Sequence, residues 1–394
     1  MNANILFAWE LGEHLGHVSK FLPLALALRE RGYCPVFAVR DTHSAEVVLG
    51  PHGMAWLQAP VAIGQGGAAG PALNYADILL RCGYASPVRL ARLLRAWQQI
   101  FELVQPALTV FDHSPTALLA SRGRAMRRVL LSPGFFLPPR QTPFPPILPQ
   151  PVAPERLLAC DTAALGAIQA AQQRIGMAPL ATLPELFDAD LRLLDTHPEL
   201  DHFGARPGEE YCGGFYLDEA GAPASWPGSG RPRVFAYLRP GQRGVDRLLS
   251  QLRMAPCDAL IYAPGLTAQQ AARFANSNIR FTQELVQLRS LAGQCDLAIL
   301  YASHATICAC LAAGVPMLLL PQQPEQAMLA RRVAELGVAR VYQDDAAPLA
   351  QLQEALADGG MRAAAQAWRG SHTPMAVPAL ADRLSALLQN PSNS

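Results

Sequence analysis

At 394 residues the chain is too long for one ordinary core, which predicts two domains of about 200 residues each. Hydrophobic residues make up 51% and charged residues 16%, which excludes a disordered chain, and the formal charge of +1 gives no electrostatic reason for nucleic acid as a partner. Arginine carries nearly all the positive charge, Lys20 is the only lysine, and the 34 prolines with many alanines point to a GC-rich bacterial genome.

The opening MNANILFAWELGEH lacks a basic n-region and an apolar run of signal-peptide length. No stretch reaches the roughly 18 apolar residues needed to span a bilayer, so no transmembrane segment is expected. The eight cysteines are scattered with no CxxC pair, and Cys308 and Cys310 fall in a run that reads as a buried helix, where packing accounts for them. These features together predict a reduced, cytoplasmic protein.

In chain order, a strand is expected at Ile5–Trp9, a loop at Glu10–Gly16, a helix at His17–Arg31 and a second strand at Pro35–Arg40, the spacing of a βαβ unit. Gly64, Gly66 and Ala69 fit a loose dinucleotide fingerprint, but Pro71 and the short run behind it make a poor phosphate-binding unit, so the segment reads as a flexible loop. Further apolar runs lie at Leu108–Phe111, followed by Asp112-His113-Ser114-Pro115, and at Arg128–Leu131. Strands alternating with helices predict a doubly wound parallel sheet, with the loops after Trp9 and Phe111 on one rim.

From Ser132 to Pro154 the proline content excludes helix and central strand. Two readings stay open there: a stiff surface connection, or a semi-rigid wall exposing Phe135 and Phe136 to an apolar ligand. Asp218–Arg233 has the composition of an interdomain linker. Beyond it the pattern restarts, with strands at Val234–Leu238, Ala259–Tyr262, Ile279–Phe281 and Leu297–Leu300 and a helix around Val245–Met254. The expected domains are therefore 1–217 and 234–372, with 218–233 as linker, 373–394 as a C-terminal helix and tail, and a ligand site in the cleft between the two.

The stretch Tyr301–Gln326 carries the strongest local signal. A strand runs into a short polar turn, an Ala/Cys helix, Gly314-Val315-Pro316, another strand and the pair Glu325-Gln326. That order sets a helix N-terminus against a strand's carboxyl end, where free N–H groups and the helix dipole suit a phosphate.

Two segments carry a resemblance: GHVSKFLPLALALRERGY at 16–33, and 278–341, which runs from NIRFTQELVQL through YASHATICACLAAGVPMLLLPQQPEQ to GVARV. Both resemble the two-domain nucleotide-sugar glycosyltransferases of GT-B type, in particular the bacterial macrolide/flavonoid branch related to UDP-glycosyltransferases. The resemblance implies two Rossmann-like domains facing across a cleft. It implies an inverting, metal-independent hexosyltransferase that uses a UDP- or dTDP-hexose as co-substrate, without a cofactor, on a hydroxyl of a small apolar or lipid-like acceptor.

Carried over residue by residue, the resemblance implies that His17 is the base and Asp112 orients it, whereas the spacing alone reads as a helix-capping histidine and a turn aspartate. His14 and His113 are read as polar rim residues of the acceptor site with Phe135 and Phe136; the spacing of the three histidines does not demand a metal. On the donor side Ser303, His304, Ala305 and Thr306 would hold the β-phosphate, with Arg239 adding charge, and Gln287, Glu325 and Gln326 are kept from the family pattern, the last two as sugar contacts. Tyr301-Ala302-Ser303 stands where the family usually has His-Gly-Gly, and Tyr301 or His304 would substitute for the missing histidine. Ala309 replaces a ribose-binding glutamate and Glu284 a base-stacking tryptophan. These departures leave open a catalytically impaired auxiliary or binding protein, and a partner protein or homodimer. A sugar-nucleotide epimerase on the same architecture suits the first loop less well.

Overall fold

A computed structural model describes residues 3–12, 16–62, 70–215, 221–228, 230–344 and 347–389. The Gly64–Gly70 motif, apart from Gly70, lies outside the described residues, as does His14. Short runs that are apolar on almost every residue form two sheets in which every pairing is parallel, the pattern of strands covered by helices on both faces.

The first sheet holds β1 (Asn4–Trp9), β2 (Cys34–Val39), β3 (Ala55–Gln58), β4 (Leu108–Phe111), β5 (Arg127–Ser132) and β6 (Leu191–Leu194), in the order β3-β2-β1-β4-β5-β6. The second holds β7 (Arg233–Tyr237), β8 (Asp258–Tyr262), β9 (Ile279–Thr282), β10 (Leu297–Leu300), β11 (Met317–Leu319) and β12 (Ala339–Val341), in the order β12-β11-β10-β7-β8-β9. Each sheet thus starts near its middle and winds both ways. The strand order reverses between β1 and β4 in one and between β7 and β10 in the other, and ligands of such sheets bind beyond the carboxyl ends at that reversal.

Two compact units contain these sheets. The first is Met1–Pro198 with Ala205–Gly213 and Met375–Ser394; the second is Glu199–Gly204 with Gly214–Pro374. The C-terminal helix Val377–Gln389 belongs to the first unit: it buries Leu380, Ala381 and Leu384, Arg31 reaches Asp382 and the Pro378 carbonyl, and Arg383 pairs with Glu210. Residues 221–228, which read as linker, lie along the second unit. Ala222 bridges Val286, the Ala224 N–H donates to Ser290 Oγ at 2.9 Å, and Trp226 packs on the core. Proline and glycine there suggest looseness, but main-chain hydrogen bonds fix the path.

The proline-rich stretch is also anchored. Phe144 and Ile147 are buried, the Phe144 N–H donates to Asp161 Oδ2 at 2.9 Å, and the Ile147 N–H donates to the Leu73 carbonyl at 3.0 Å. Only Gly134–Phe136 forms a helical turn before the helix Pro154–Arg174 begins.

Glu10 ties the exit of β1 to two helices. Its carboxyl accepts from the Thr116 N–H at the start of the helix Pro115–Ala120 and from Trp97 Nε1 at 2.6 Å, within the helix Pro87–Val104. Burial pushes its pKa up to about 7 in spite of these donors. A carboxyl raised in the folded state contributes stability that is full below its unfolded pKa near 4.5 and lost as pH rises through 7. Urea unfolding across pH 4.5–8 should show the parent losing about 3 kcal/mol relative to Glu10→Gln, which has no proton to give up. A parallel pH dependence in both proteins would contradict the burial of Glu10.

Candidate active site

In the first unit the chemistry collects at the reversal between β1 and β4. His17 stands in the first turn of the helix Gly16–Glu30, and Asp112 directly follows β4, its N–H held by the Ala8 carbonyl of β1 at 3.0 Å. The parallel register of β1 and β4 therefore brings together two residues 95 positions apart, and His17 Nδ1 lies 2.6 Å from Asp112 Oδ2. The imidazole stacks on the Trp9 indole at 5.1 Å and 16°, is flanked by Phe136 at 5.4 Å, and remains 12% exposed.

Asp112 is fully buried. Its other oxygen accepts from Ser132 Oγ at 2.5 Å and pairs with Lys20 Nζ at 3.0 Å. Burial alone would raise the carboxyl pKa, but the Lys20 ammonium and then the His17 ring and the Ser132 hydroxyl hold it well below the usual carboxylate range. An ionised Asp112 only accepts, so Nδ1 carries the proton of this hydrogen bond. Nε2 faces Gly12: a Cβ there would come within 2.7 Å, and the φ of +84° already favours glycine.

His113 is expected at the rim but is buried, with φ +42°, its ring stacked on Phe136 at 3.9 Å. Burial drives its pKa well below the ordinary histidine value, and neither ring nitrogen has a hydrogen-bond partner. The Tyr75 hydroxyl and Ser114 Oγ nearby are likewise buried without partners. Phe135 departs from expectation. At 6% exposure it is buried and packs edge-on against Phe136, whose ring is the one set against His17 and His113.

In the second unit the equivalent place is the reversal between β7 and β10. The turn Tyr301-Ala302-Ser303 follows β10, and the helix His304–Ala313 begins with Ser303 as N-cap. The first helical bond runs from the Ile307 N–H to the Ser303 carbonyl at 3.0 Å, leaving the N–H groups of His304, Ala305 and Thr306 ahead of it. Ser303 Oγ donates to Thr306 Oγ1 at 2.7 Å. Ala302 has φ +66°, so the backbone keeps the left-handed conformation of a glycine turn with alanine in it.

Arg239, in the loop after β7, sets its guanidinium 5.0 Å from the centre of the buried Tyr301 ring, which lies edge-on to Tyr237. This joins the two loops at the reversal. His304 does not stand beside Tyr301 in a shared role. Its ring lies against Cys308 Sγ at 3.7 Å and faces His202, which pairs with Glu325 Oε1 at 3.2 Å. Gln326 is buried and its side-chain oxygen accepts from the Gln322 N–H at 2.9 Å, closing the turn before the helix Pro324–Glu335. Gln287 turns its amide oxygen to the Arg289 guanidinium, and Glu284 is exposed.

Among the described residues no group of three or more His, Cys, Asp or Glu could hold a metal ion, and no helix is long and apolar enough to cross a membrane. Sequence reading missed Ser132, Asp195 and His202, and singled out Lys20 only as a curiosity of composition. A charged residue one turn after His17, flanked by residues of an apolar helix face, was the available signal.

No protein-family model and no curated protein matches the chain. Solved structures do. The calicheamicin glycosyltransferase CalG4 superposes with a TM-score of 0.71 at 19% identity, covering 100% of both chains. The spinosyn rhamnosyltransferase SpnG complexed with thymidine diphosphate gives 0.68 at 16% identity over 97% of this chain and 100% of its own. The glycosyltransferase SnogD from Streptomyces nogalater gives 0.63 at 20% identity over 98% and 100%. The chain has the GT-B glycosyltransferase fold.

In the turn after β10 an alanine holds the left-handed backbone that glycine takes without strain. Ala302→Gly should raise the urea midpoint by the equivalent of about 0.5–1 kcal/mol, the relief of left-handed strain less the entropy of the added glycine. A lowered midpoint would contradict the positive φ.

Proposed function

We propose that this protein is an inverting glycosyltransferase, moving a hexose from a nucleoside-diphosphate sugar to a hydroxyl of a small, largely apolar acceptor. The observation that carries the reading is the His17–Asp112 pair, 2.6 Å apart at the β1/β4 reversal. A buried carboxylate that fixes one ring nitrogen makes the other a directed base, which a capping histidine does not need.

In the reaction His17 Nε2 takes the acceptor proton as the hydroxyl oxygen attacks the anomeric carbon. The bond from that carbon to the β-phosphate oxygen breaks, and the nucleoside diphosphate leaves with the bonding pair. The growing charge is met by the N–H groups of His304, Ala305 and Thr306, the helix dipole and the Thr306 hydroxyl, with Arg239 as the nearby cation. Glu325, through its first-turn position, is a contact for the sugar. Phe136, with the partnerless His113 and Tyr75, lines the acceptor side: an apolar surface with a few polar groups that orient a ligand. The likeness to a rhamnosyltransferase complexed with thymidine diphosphate supports such a donor.

A binding-only relative is favoured by Ala309 and Glu284, which carry neither of the family's usual nucleoside contacts. Calorimetry with dTDP and UDP separates the two readings. Saturable binding of one nucleotide, weakened about tenfold or more by Thr306→Ala, is expected for a charge-assisted phosphate site. Absence of binding of both at millimolar concentration would overturn the transferase reading.

A further inference from the structure

The His17–Asp112 pair does not stand alone. Behind it, Lys20 Nζ lies 3.0 Å from Asp112 Oδ1 and 3.0 Å from Asp195 Oδ2, and donates to the Leu131 carbonyl at 3.2 Å. Lys20, Asp112 and Asp195 are all buried. They come from the first helix, the end of β4 and the residue after β6, so three separate elements deliver charge to one dry point. Burying an ammonium with two carboxylates is costly, and nothing about packing alone requires it.

We propose that Lys20 is a positioning residue for His17, acting through Asp112, with Asp195 as counterweight. The proposal rests on the reading of His17 as the base. Lys20 stands between the two carboxylates, so its charge is shared between Asp112 and Asp195. Lys20 holds Asp112 ionised, and through its charge restrains how strongly the imidazole takes a proton; Asp195 draws part of that restraint away. Other titratable groups surround the pair, and Glu10, which itself titrates near 7, is replaced by glutamine in every protein compared below, the parent included. His113, from the turn after β4, is kept uncharged by burial, Glu10 follows β1, and Arg40 follows β2 on the side of His113. Burial works against the Lys20 ammonium, but Asp112 and Asp195 outweigh it and raise its pKa above the ordinary lysine value, so the charge is present throughout the working range.

Because Lys20 is the only lysine, lysine labelled with 15N and 13C gives one side-chain signal from the full-length protein. Followed by NMR from pH 5 to 9, that signal should show one titration step in the parent and none in His17→Gln. Asp195→Asn, which keeps the hydrogen bond to Lys20 but removes a charge, should move the acid limb of turnover about one pH unit lower, and Lys20→Met should move it higher. Lys20→Arg, keeping the charge, should restore the parental limb. Should Lys20→Met fail to fold, the parent, His17→Gln and Asp195→Asn still decide. A flat Lys20 signal in the parent, or a step that survives in His17→Gln, would reduce Lys20 to a structural ion pair and overturn the proposal. A His17-dependent step without turnover on any donor would keep the coupling and discard the transferase reading instead.

Discussion

A buried carboxylate must be met by charge and hydrogen bonds, and the first unit is arranged around meeting this need at Asp112. Three groups do so, the His17 ring, the Lys20 ammonium and the Ser132 hydroxyl, and the Ala8 carbonyl fixes the residue's backbone by taking the Asp112 N–H. They arrive from the first helix and from β1 and β5, so the site exists only if β1, β4 and β5 stand in register and the first helix crosses at one height. Removing any one partner leaves charge uncompensated, at a cost of several kcal/mol. Site and fold are here one constraint: the sheet that brings His17 to Asp112 is itself held by the ions gathered there.

In the second unit the helix His304–Ala313 starts at the β7/β10 reversal, where its free N–H groups and dipole give positive potential. The tight turn that brings the helix there depends on a left-handed residue, and Ala302 adopts it. Tyr301 precedes it, with the Arg239 guanidinium over its ring. The donors of a helix start belong to the main chain and do not depend on the side chains beside them.

The central strands were legible in sequence because they are buried on both sides and read as unbroken apolar runs; β1, β4, β7 and β10 lie within a residue of expectation. The edge strands β3, β6 and β12 were missed. They are short and partly exposed, so no apolar run marks them. The same cause hid Asp195, which follows β6. His17 and Asp112 were found by resemblance and not by spacing, since 95 residues separate them and only the register closes the gap. Phe135 and Phe136 are chemically alike, and only the helical turn at 134–136 decides that one faces the core and the other the histidines. Lys20 was visible as a letter but not as a role: a lone lysine on an apolar helix face has meaning only when the carboxylates it meets are known.

The central claim is that His17 acts as a base in sugar transfer. The most direct measurement is the release of nucleoside diphosphate from dTDP- and UDP-hexoses, followed over a panel of apolar hydroxyl-bearing acceptors, for the parent and for His17→Gln. The account predicts acceptor-dependent release by the parent and a loss of about a hundredfold or more in the variant, with nucleotide binding unchanged. Equal turnover in both proteins would contradict it.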